Sequence, residues 1–253
     1  MSLTFGANTT DLVSIAASSS INNLDPFTYC WWMYVTTWTG SRDPFTKIGS
    51  GQLIAMQLDG TTGAGNLKLT ITGSTGSIVL LTTGQNMAVN TWYFCAATYN
   101  SANSSDKANI YVGTLATPVA LALGSGASAV TGTHDDSANP IRIGNNATPN
   151  AVLQGDMAWL GVWNKELSLA QLKDQQYFPH VTSGNVVFMH LNNSTTGTQL
   201  DQSGLQNKGT VTGATPSTLA EPAGVNFYDE AGLSNNYQSV KVGDGMSVGE
   251  KIR

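Results

Sequence analysis

Short segments in which apolar and polar residues alternate recur along most of the chain. Clusters of Gly, Asn, Asp and Thr separate these segments, and this spacing is typical of antiparallel strands in a β-sandwich. The alternation predicts these strands: Leu3–Phe5, Leu12–Ile15, Phe27–Thr36, Phe45–Ile48, Leu53–Leu58, Leu67–Thr72, Ser77–Thr82, Trp92–Tyr99, Ala108–Val112, Ile141–Ile143, Gly155–Trp163, Val186–His190 and Gly209–Thr212. One segment, Ser168–Gln176, has helical spacing, and Ser168 can cap its N-terminus. The pattern therefore predicts an all-β protein with one short helix.

Two of these strands are apolar at odd and even positions alike. The first is Phe27–Thr36, in which the first nine residues carry this pattern. The second is Trp92–Tyr99. Successive side chains of a strand point to opposite faces, so both faces of these strands should be covered and the strands should lie centrally in a sheet. Each contains one of the two cysteines, Cys30 and Cys95. Two interpretations stay open, a reduced buried pair and a single disulfide.

Composition and charge exclude several classes of partner. Only 11% of the residues are charged, and the net charge is −5 with a sequence pI near 5.0. Such a chain offers no basic surface to neutralise many phosphates, so nucleic acid is not expected as the main partner. The best apolar runs, Pro118–Leu123 and Ser77–Leu81, are far shorter than the about 18 residues of a membrane helix. The N-terminal residues have neither the cationic segment nor the apolar segment of a secretory signal peptide. This is expected of a protein that never crosses a membrane, or of one whose signal peptide has been removed.

Several segments carry motifs that occur together, in this order, in one known family. Phe27–Trp32 resembles an FTxxxW strand, and Trp92–Tyr99 resembles WxxVAxTY. Asp106–Gly113 resembles the hairpin DGxxxIYVNG, with Lys107 in place of the turn glycine. Gly155–Ser168 resembles GxIDEVRIYNRALS. The set resembles the laminin G-like, concanavalin A-like lectin/glucanase jelly roll, which includes pentraxin-type domains.

This resemblance implies a two-sheet antiparallel jelly-roll sandwich, and the pattern beyond it indicates a C-terminal extended arm. It covers about residues 3–177, and Asp201–Thr210 adds an element resembling DxSGxxNxGT, so the predicted domain is 1–221. From Pro222 onward the alternation decays, and residues 222–253 are predicted to form the arm. We interpret the arm as a docking or assembly segment, with a frayed end as the alternative. It keeps apolar residues that a solvated linker would not need: Val240, Val242, Met246, Val248 and Ile252.

Catalytic patterns are missing from the sequence. Glucanases of the superfamily that the chain resembles use paired carboxylates, but their ExDxxE motif does not occur. The adjacent acids Asp135 and Asp136 would point to opposite faces of a strand and could not act on one bond. No pattern in the sequence places a serine nucleophile beside His134, His180 or His190. We therefore expect no enzymatic activity and no organic cofactor.

Two binding sites are suggested, one of them only by the resemblance. Many relatives hold Ca²⁺ at loop oxygens along one rim, which makes Asp135, Asp136 and Asn145 the candidate ligands, with ordinary turn residues as the alternative. Glycan binding calls for an exposed aromatic side chain, and Trp38, in the loop after Thr37, is the candidate. The other tryptophans lie in predicted strands and are interpreted as core.

Taken together, these features favour a non-enzymatic structural protein of a virion. Jelly-roll modules of the family that the chain resembles also occur on bacteriophage heads and tails. The composition of the chain, rich in Gly, Ser, Thr and Asn, suits an exposed adhesion domain. We expect a capsid decoration or a tail surface component that is assembled in the host cytoplasm and attached through its arm. Its partners would be other virion proteins or further copies of itself, with glycans as ligands and neither nucleic acid nor membrane. The alternative is a secreted or surface carbohydrate-binding, lectin-like module.

Overall fold

The computed structural model describes residues 2–49, 52–60, 65–126, 128–132, 134–146, 151–192, 197–220 and 222. Within these ranges the chain forms two antiparallel sheets of eight strands each and one short helix, α1, at Leu169–Tyr177. The strands are β1 Leu3–Phe5, β2 Leu12–Ile15, β3 Phe27–Val35, β4 Arg42–Gly49, β5 Gln52–Asp59, β6 Asn66–Thr72, β7 Ser77–Leu81, β8 Trp92–Tyr99, β9 Ala108–Thr114, β10 Ala120–Gly124, β11 Ile141–Ile143, β12 Gly155–Trp163, β13 Asn185–Met189, β14 Thr198–Gln199, β15 Gly209–Thr212 and β16 Thr215–Pro216. The predicted all-β, two-sheet sandwich is confirmed.

The order of the strands brings both ends of the described chain together. Sheet I runs β10, β9, β8, β3, β12, β1 and β16, and β13 also pairs with β12. Sheet II runs β14, β15, β2, β11, β4, β5, β6 and β7. The late strands β16 and β15 therefore pair with the early strands β1 and β2, one pair in each sheet.

Sheet I is covered on both faces, as the patterns of β3 and β8 predict. The inward side chains of β3 join the core between the sheets; they are Phe27, Tyr29, Trp31, Met33 and Val35. The outward side chains Cys30 and Trp32 join a second apolar cluster with Phe94 of β8. A bulge in β12 turns Ala158 and Trp159 to this same outer cluster, although they are adjacent in sequence.

Helix α1 covers part of the outer apolar cluster. Ser168 caps the helix by accepting a hydrogen bond from the backbone N–H of Gln171, whose side chain returns one to Ser168 in a capping box. Leu172 packs into the cluster, and the indole of Trp32 donates to the backbone carbonyl of Gln176 at 3.2 Å. The predicted helix is confirmed, and Leu172 and the hydrogen bond from Trp32 hold it against sheet I.

The two cysteines are free and buried. Trp31 lies directly opposite Cys95 in the ladder, so Cys30 is one residue out of step with Cys95. Cys30 consequently points to the outer cluster and Cys95 into the core between the sheets. Of the two interpretations, the reduced pair is the one found.

Three strands were not among those predicted. β14 and β16 have two residues each, too few to show alternation. β10 overlaps the apolar run Pro118–Leu123 and lies at the edge of sheet I, where its side chains are partly or fully exposed. In the ranges covered by the structure, no helix is long and apolar enough to span a membrane.

The predicted arm lies outside the described residues, apart from Pro222. This holds for all of its apolar assembly candidates, Val240, Val242, Met246, Val248 and Ile252. Just before the arm, the backbone N–H of Ser217 donates to the carbonyl of Ser2 at 2.8 Å. The indole of Trp92 donates to the carbonyl of Ala220 at 3.1 Å. The chain therefore remains attached to sheet I up to the start of the arm.

Candidate functional site

A cavity of about 280 Å³ opens at the end of the sandwich where β3 begins and β8 ends. We call it the end cleft. It is lined by Asn23, Leu24, Asp25, Phe27, Ile71, Tyr99, Ser101, Val130, Gly132 and His134. Its buried residues are Leu24, Phe27, Ile71 and Tyr99, and its exposed ones are Asn23, Asp25, Ser101 and Gly132. An apolar floor beneath a few polar groups is typical of a small-molecule binding site.

Tyr99 supplies the aromatic part of this floor. It is the last residue of β8 and lies opposite Phe27 of β3, with the two ring centroids 5.4 Å apart. Burial raises the pKa of the Tyr99 hydroxyl, and the negative charge of Asp25 raises it further. The hydroxyl therefore stays protonated at neutral pH, and it can both donate and accept a hydrogen bond.

Asp25 provides the carboxylate of the end cleft. Its Oδ1 accepts a hydrogen bond from the backbone N–H of Ser101 at 3.0 Å, which ties the loop before β3 to the loop after β8. The side chain is exposed at the rim. A carboxylate in this position can accept charge-assisted hydrogen bonds from the hydroxyls of a ligand.

One wall of the end cleft is held by a pair of reciprocal hydrogen bonds. The backbone N–H of Asn23 donates to Oδ1 of Asp136 at 2.7 Å, and the backbone N–H of Asp136 donates to Oδ1 of Asn23 at 2.7 Å. Asn23 has a φ of 52°, in the left-handed region that asparagine tolerates better than most residues. Asp136 thus joins two loops that are 113 residues apart in the chain.

Asp136 is also one half of a buried ion pair with Lys47 of β4. The Lys47 ammonium donates to Oδ1 of Asp136, to its backbone carbonyl at 3.1 Å and to Oδ1 of Asn22 at 3.3 Å. Both charged side chains are almost completely excluded from solvent. Burial lowers the pKa of Lys47. Burial alone would raise the pKa of Asp136, but hydrogen bonds from His134, Asn23 and Lys47 hold it below its usual value.

His134 completes the wall and is positioned by two acceptors. Its Nδ1 lies 3.0 Å from the carbonyl oxygen of Thr72, and its Nε2 lies 3.2 Å from Oδ2 of Asp136. Burial opposes protonation, but the hydrogen bonds to Asp136 and Thr72 and the charge of Asp136 outweigh it and raise the pKa of His134. The cleft thus combines an aromatic ring, a carboxylate, an imidazole and amide and hydroxyl groups.

The expectation that Trp38 forms an exposed aromatic platform is wrong. Trp38 is only 6% exposed and its indole belongs to the core between the sheets; unlike the equally buried Tyr99, it does not line the end cleft. The loop after β3 packs closely on the loop after β5, because a Cβ at Gly60 would lie 2.3 Å from the carbonyl oxygen of Trp38. A position in a loop therefore did not mean exposure here.

The three calcium candidates do not converge on one site. Asp136 contacts Lys47 and His134, whereas Asp135 is exposed and accepts from the backbone N–H of Ser137 at 3.0 Å. Asn145 lies elsewhere: its amide donates to the backbone carbonyls of Thr9 and Asp11, and its Oδ1 accepts from the backbone N–H groups of Asn146 and Ala151. Across the described part of the chain, no three His, Cys, Asp or Glu side chains form a group that could hold a metal ion. Calcium binding therefore stays a prediction, and the described residues form no site for the ion.

Comparisons with known proteins agree on the fold. A laminin G family model, described as the concanavalin A-like lectin/glucanases superfamily, matches residues 7–173. No curated protein matches the sequence. The structure resembles a Bacteroides ovatus protein whose carbohydrate binding is itself only proposed, with a TM-score of 0.60, 17% identity and coverage of 85% of this chain. The match covers 58% of that protein, so the chain spans less than two thirds of it.

Two further solved structures are similar at lower scores. Tailspike protein 2 of bacteriophage CBA120 matches with a TM-score of 0.49 and 14% identity, over 70% of this chain and 31% of the tailspike. A pentraxin from Limulus polyphemus matches with a TM-score of 0.44 and 12% identity, over 67% of this chain and 83% of the pentraxin.

We predict that Asp136→Asn destabilises the protein by about 3–5 kcal/mol, because it leaves the Lys47 ammonium buried without its counter-charge. Urea unfolding measures the change. Asp135→Asn is the matched control, since the neighbouring carboxylate is exposed, and it should leave the unfolding free energy nearly unchanged. Equal effects of the two substitutions would contradict the assignment of a buried ion pair.

We predict that the stability contributed by His134 depends on pH. Its pKa in the folded state is raised above the 6.5 of free histidine, so the contribution is fully present below pH 6.5 and is lost as pH rises through the folded-state pKa. The measurement is the unfolding free energy of the wild type and of His134→Gln between pH 5 and pH 9. A difference between the two proteins that stays constant over this range would disprove the charge interaction with Asp136.

Proposed function

Because the chain belongs to the concanavalin A-like lectin/glucanases superfamily, we propose that it is a non-catalytic carbohydrate-binding module that uses the end cleft. The observation that carries the proposal is the combination in one cavity of the Tyr99 ring with the Asp25 carboxylate and the amide, hydroxyl and imidazole groups of the rim. A sugar ring presents C–H groups on its faces and hydroxyls around its edge. Such a ligand matches an apolar floor under polar groups that fix its orientation.

The size of the end cleft favours a short ligand segment. Its volume of about 280 Å³ lies just below the roughly 300–1,000 Å³ that small-molecule pockets usually have. One sugar unit would occupy it, with neighbouring units passing over the exposed rim at Asn23 and Ser101. Recognition would then depend on a terminal or protruding sugar.

The presence of a single carboxylate in the lining of the cleft supports binding without catalysis. Among the described residues that line it, Asp25 is the only Asp or Glu. Hydrolysis of a glycosidic bond by the usual mechanisms needs two carboxyl groups on either side of the bond, as acid and as base or nucleophile. Asp136, which supports one wall of the cleft, is bonded to Lys47 and His134 and is almost fully buried. We therefore propose a binding role, with no cofactor.

The segment 222–253 favours a second role, attachment to a larger particle. It follows a chain end that is held to sheet I by Trp92 and Ser2, and its apolar residues suit burial against another chain. We propose that the module is a surface component of a virion, on the capsid or the tail, and that the arm joins it to other virion proteins. A secreted or cell-surface lectin would use the same cleft without a particle.

We predict that Asp25→Asn weakens sugar binding about tenfold or more. The substitution removes the negative charge at nearly constant shape, and a hydrogen bond to a charged group contributes about 1.5–3 kcal/mol, where 1.4 kcal/mol corresponds to a factor of ten. The measurement is calorimetric titration with the best ligand from a panel of neutral oligosaccharides.

The control is Asp174→Asn, which alters an exposed carboxylate on α1. This variant should bind the sugar like the wild type. Tyr99→Leu keeps the floor apolar but removes the ring, and it should also lose binding. If the wild type binds a sugar and both cleft variants bind it equally well, the end cleft is not the site.

We predict that a chain ending at residue 222 folds and retains sugar binding but no longer joins its particle. Density-banded particles analysed by quantitative mass spectrometry give the copy number of the full-length and shortened chains. Incorporation of the shortened chain at the full-length ratio would contradict the role of the arm. Absence of the full-length chain from particles would leave the secreted lectin as the better proposal.

A further inference from the structure

The outer face of sheet II, which points away from sheet I, carries an arginine in its middle. Arg142 is the central residue of β11, between Ile141 and Ile143, whose side chains are fully buried in the core. Because neighbouring residues of a strand point to opposite faces, the Arg142 side chain lies on the outer face. It pairs with Ser14 of β2 on one side and with Thr46 of β4 on the other. Both neighbours are short; Thr46 is fully buried and Ser14 is half-buried.

The Arg142 guanidinium has an unmet hydrogen-bonding capacity. Its Nη1 is buried and has no hydrogen-bond partner, and no ion pair involves Arg142 in the described ranges. Burial alone lowers its pKa, and no carboxylate contributes to the shift. A buried donor without a partner costs about 1–3 kcal/mol, and native proteins rarely retain one without an ion, a water or a function. The group most suited to a planar guanidinium is a carboxylate or phosphate that binds it with two parallel hydrogen bonds.

Hydroxyl groups extend from Arg142 along the same row of the sheet. Ser14 is opposite Arg142, and Thr210 of β15 is opposite Ser14, so the three side chains lie side by side on the outer face. Thr210 is exposed and Ser14 is half-buried. Neither hydroxyl has a hydrogen-bond partner among the residues that the structure covers. We call Arg142, Ser14 and Thr210 the arginine row.

We propose that the arginine row binds an acidic sugar residue, a uronate or a sialate, through its carboxylate. Arg142 is half-buried and its Nη1 is closed to solvent, so the carboxylate would meet the guanidinium on its solvent-facing side. The hydroxyls of Ser14 and Thr210 would bond to the sugar hydroxyls beside it. The proposal rests on the proposed function as far as the ligand is a glycan, but its site lies on a different surface from the end cleft. The net charge of −5 makes attraction of an acidic polymer by the whole protein unfavourable, so selectivity would come from this local site.

The test compares ligands that differ only in charge. The full-length protein is titrated with trigalacturonate and with its fully methyl-esterified form, and with 3′-sialyllactose and lactose. We expect at least tenfold tighter binding of the acidic member of one pair, and at least a tenfold loss of that binding in Arg142→Gln. Arg142→Lys keeps the charge but not the planar fork, and it should lose most of the preference even if Arg142→Gln folds poorly.

Two controls separate this proposal from general charge attraction and from the end cleft. Lys68→Gln removes a positive charge from the same outer face and should change acidic-sugar binding less than twofold. Asp25→Asn should leave acidic-sugar binding intact, so failure of the end cleft and failure of the arginine row can be told apart. Equal binding of acid and ester, or equal losses in Lys68→Gln and Arg142→Gln, would overturn the proposal. Full competition by inorganic phosphate at the sugar concentration would show a general anion site instead.

Discussion

The buried ion pair between Lys47 and Asp136 is the interaction on which the end cleft depends. Removing two charges from water is costly, and the cost is offset only where every remaining polar group finds a partner. Here the Asp136 carboxylate accepts from Lys47, from the backbone of Asn23 and from His134. The ion pair therefore fixes two loops and the end of β6 relative to each other. In this way a charge inside the core determines the position of polar groups at the surface.

Much of the fold could be predicted from the sequence, because alternation reports directly which faces of a strand are buried. The doubly apolar strands β3 and β8 proved central in sheet I, and the capped helix formed after Ser168. The site could be predicted far less well. Trp38 lies in a loop but is buried by a neighbouring loop, and the pair Asp135–Asp136 divides into one exposed and one buried acid. Such outcomes depend on contacts between distant segments, which local pattern does not encode.

The end cleft itself has no linear signature. Asp25 lies just before the start of β3, and Tyr99 is the last residue of β8. They meet because these strands are antiparallel and Phe27 pairs with Tyr99. The partners of His134 are Asp136, two residues away, and the carbonyl of Thr72 in β6. The only early indication was the position of Tyr99 at the end of an apolar strand before a polar loop. Strand register, not motif spacing, brings the cleft together.

The end cleft is the surface at which we expect the protein to receive a sugar. The most direct measurement is a titration of the isotopically labelled protein with the best neutral oligosaccharide from a panel, followed by backbone amide NMR. We expect the changes in amide chemical shift to concentrate at Asn23, Ser101 and Gly132, with little change around Trp38 or Arg142. Saturable shifts confined to another surface, with those three amides unchanged, would contradict it.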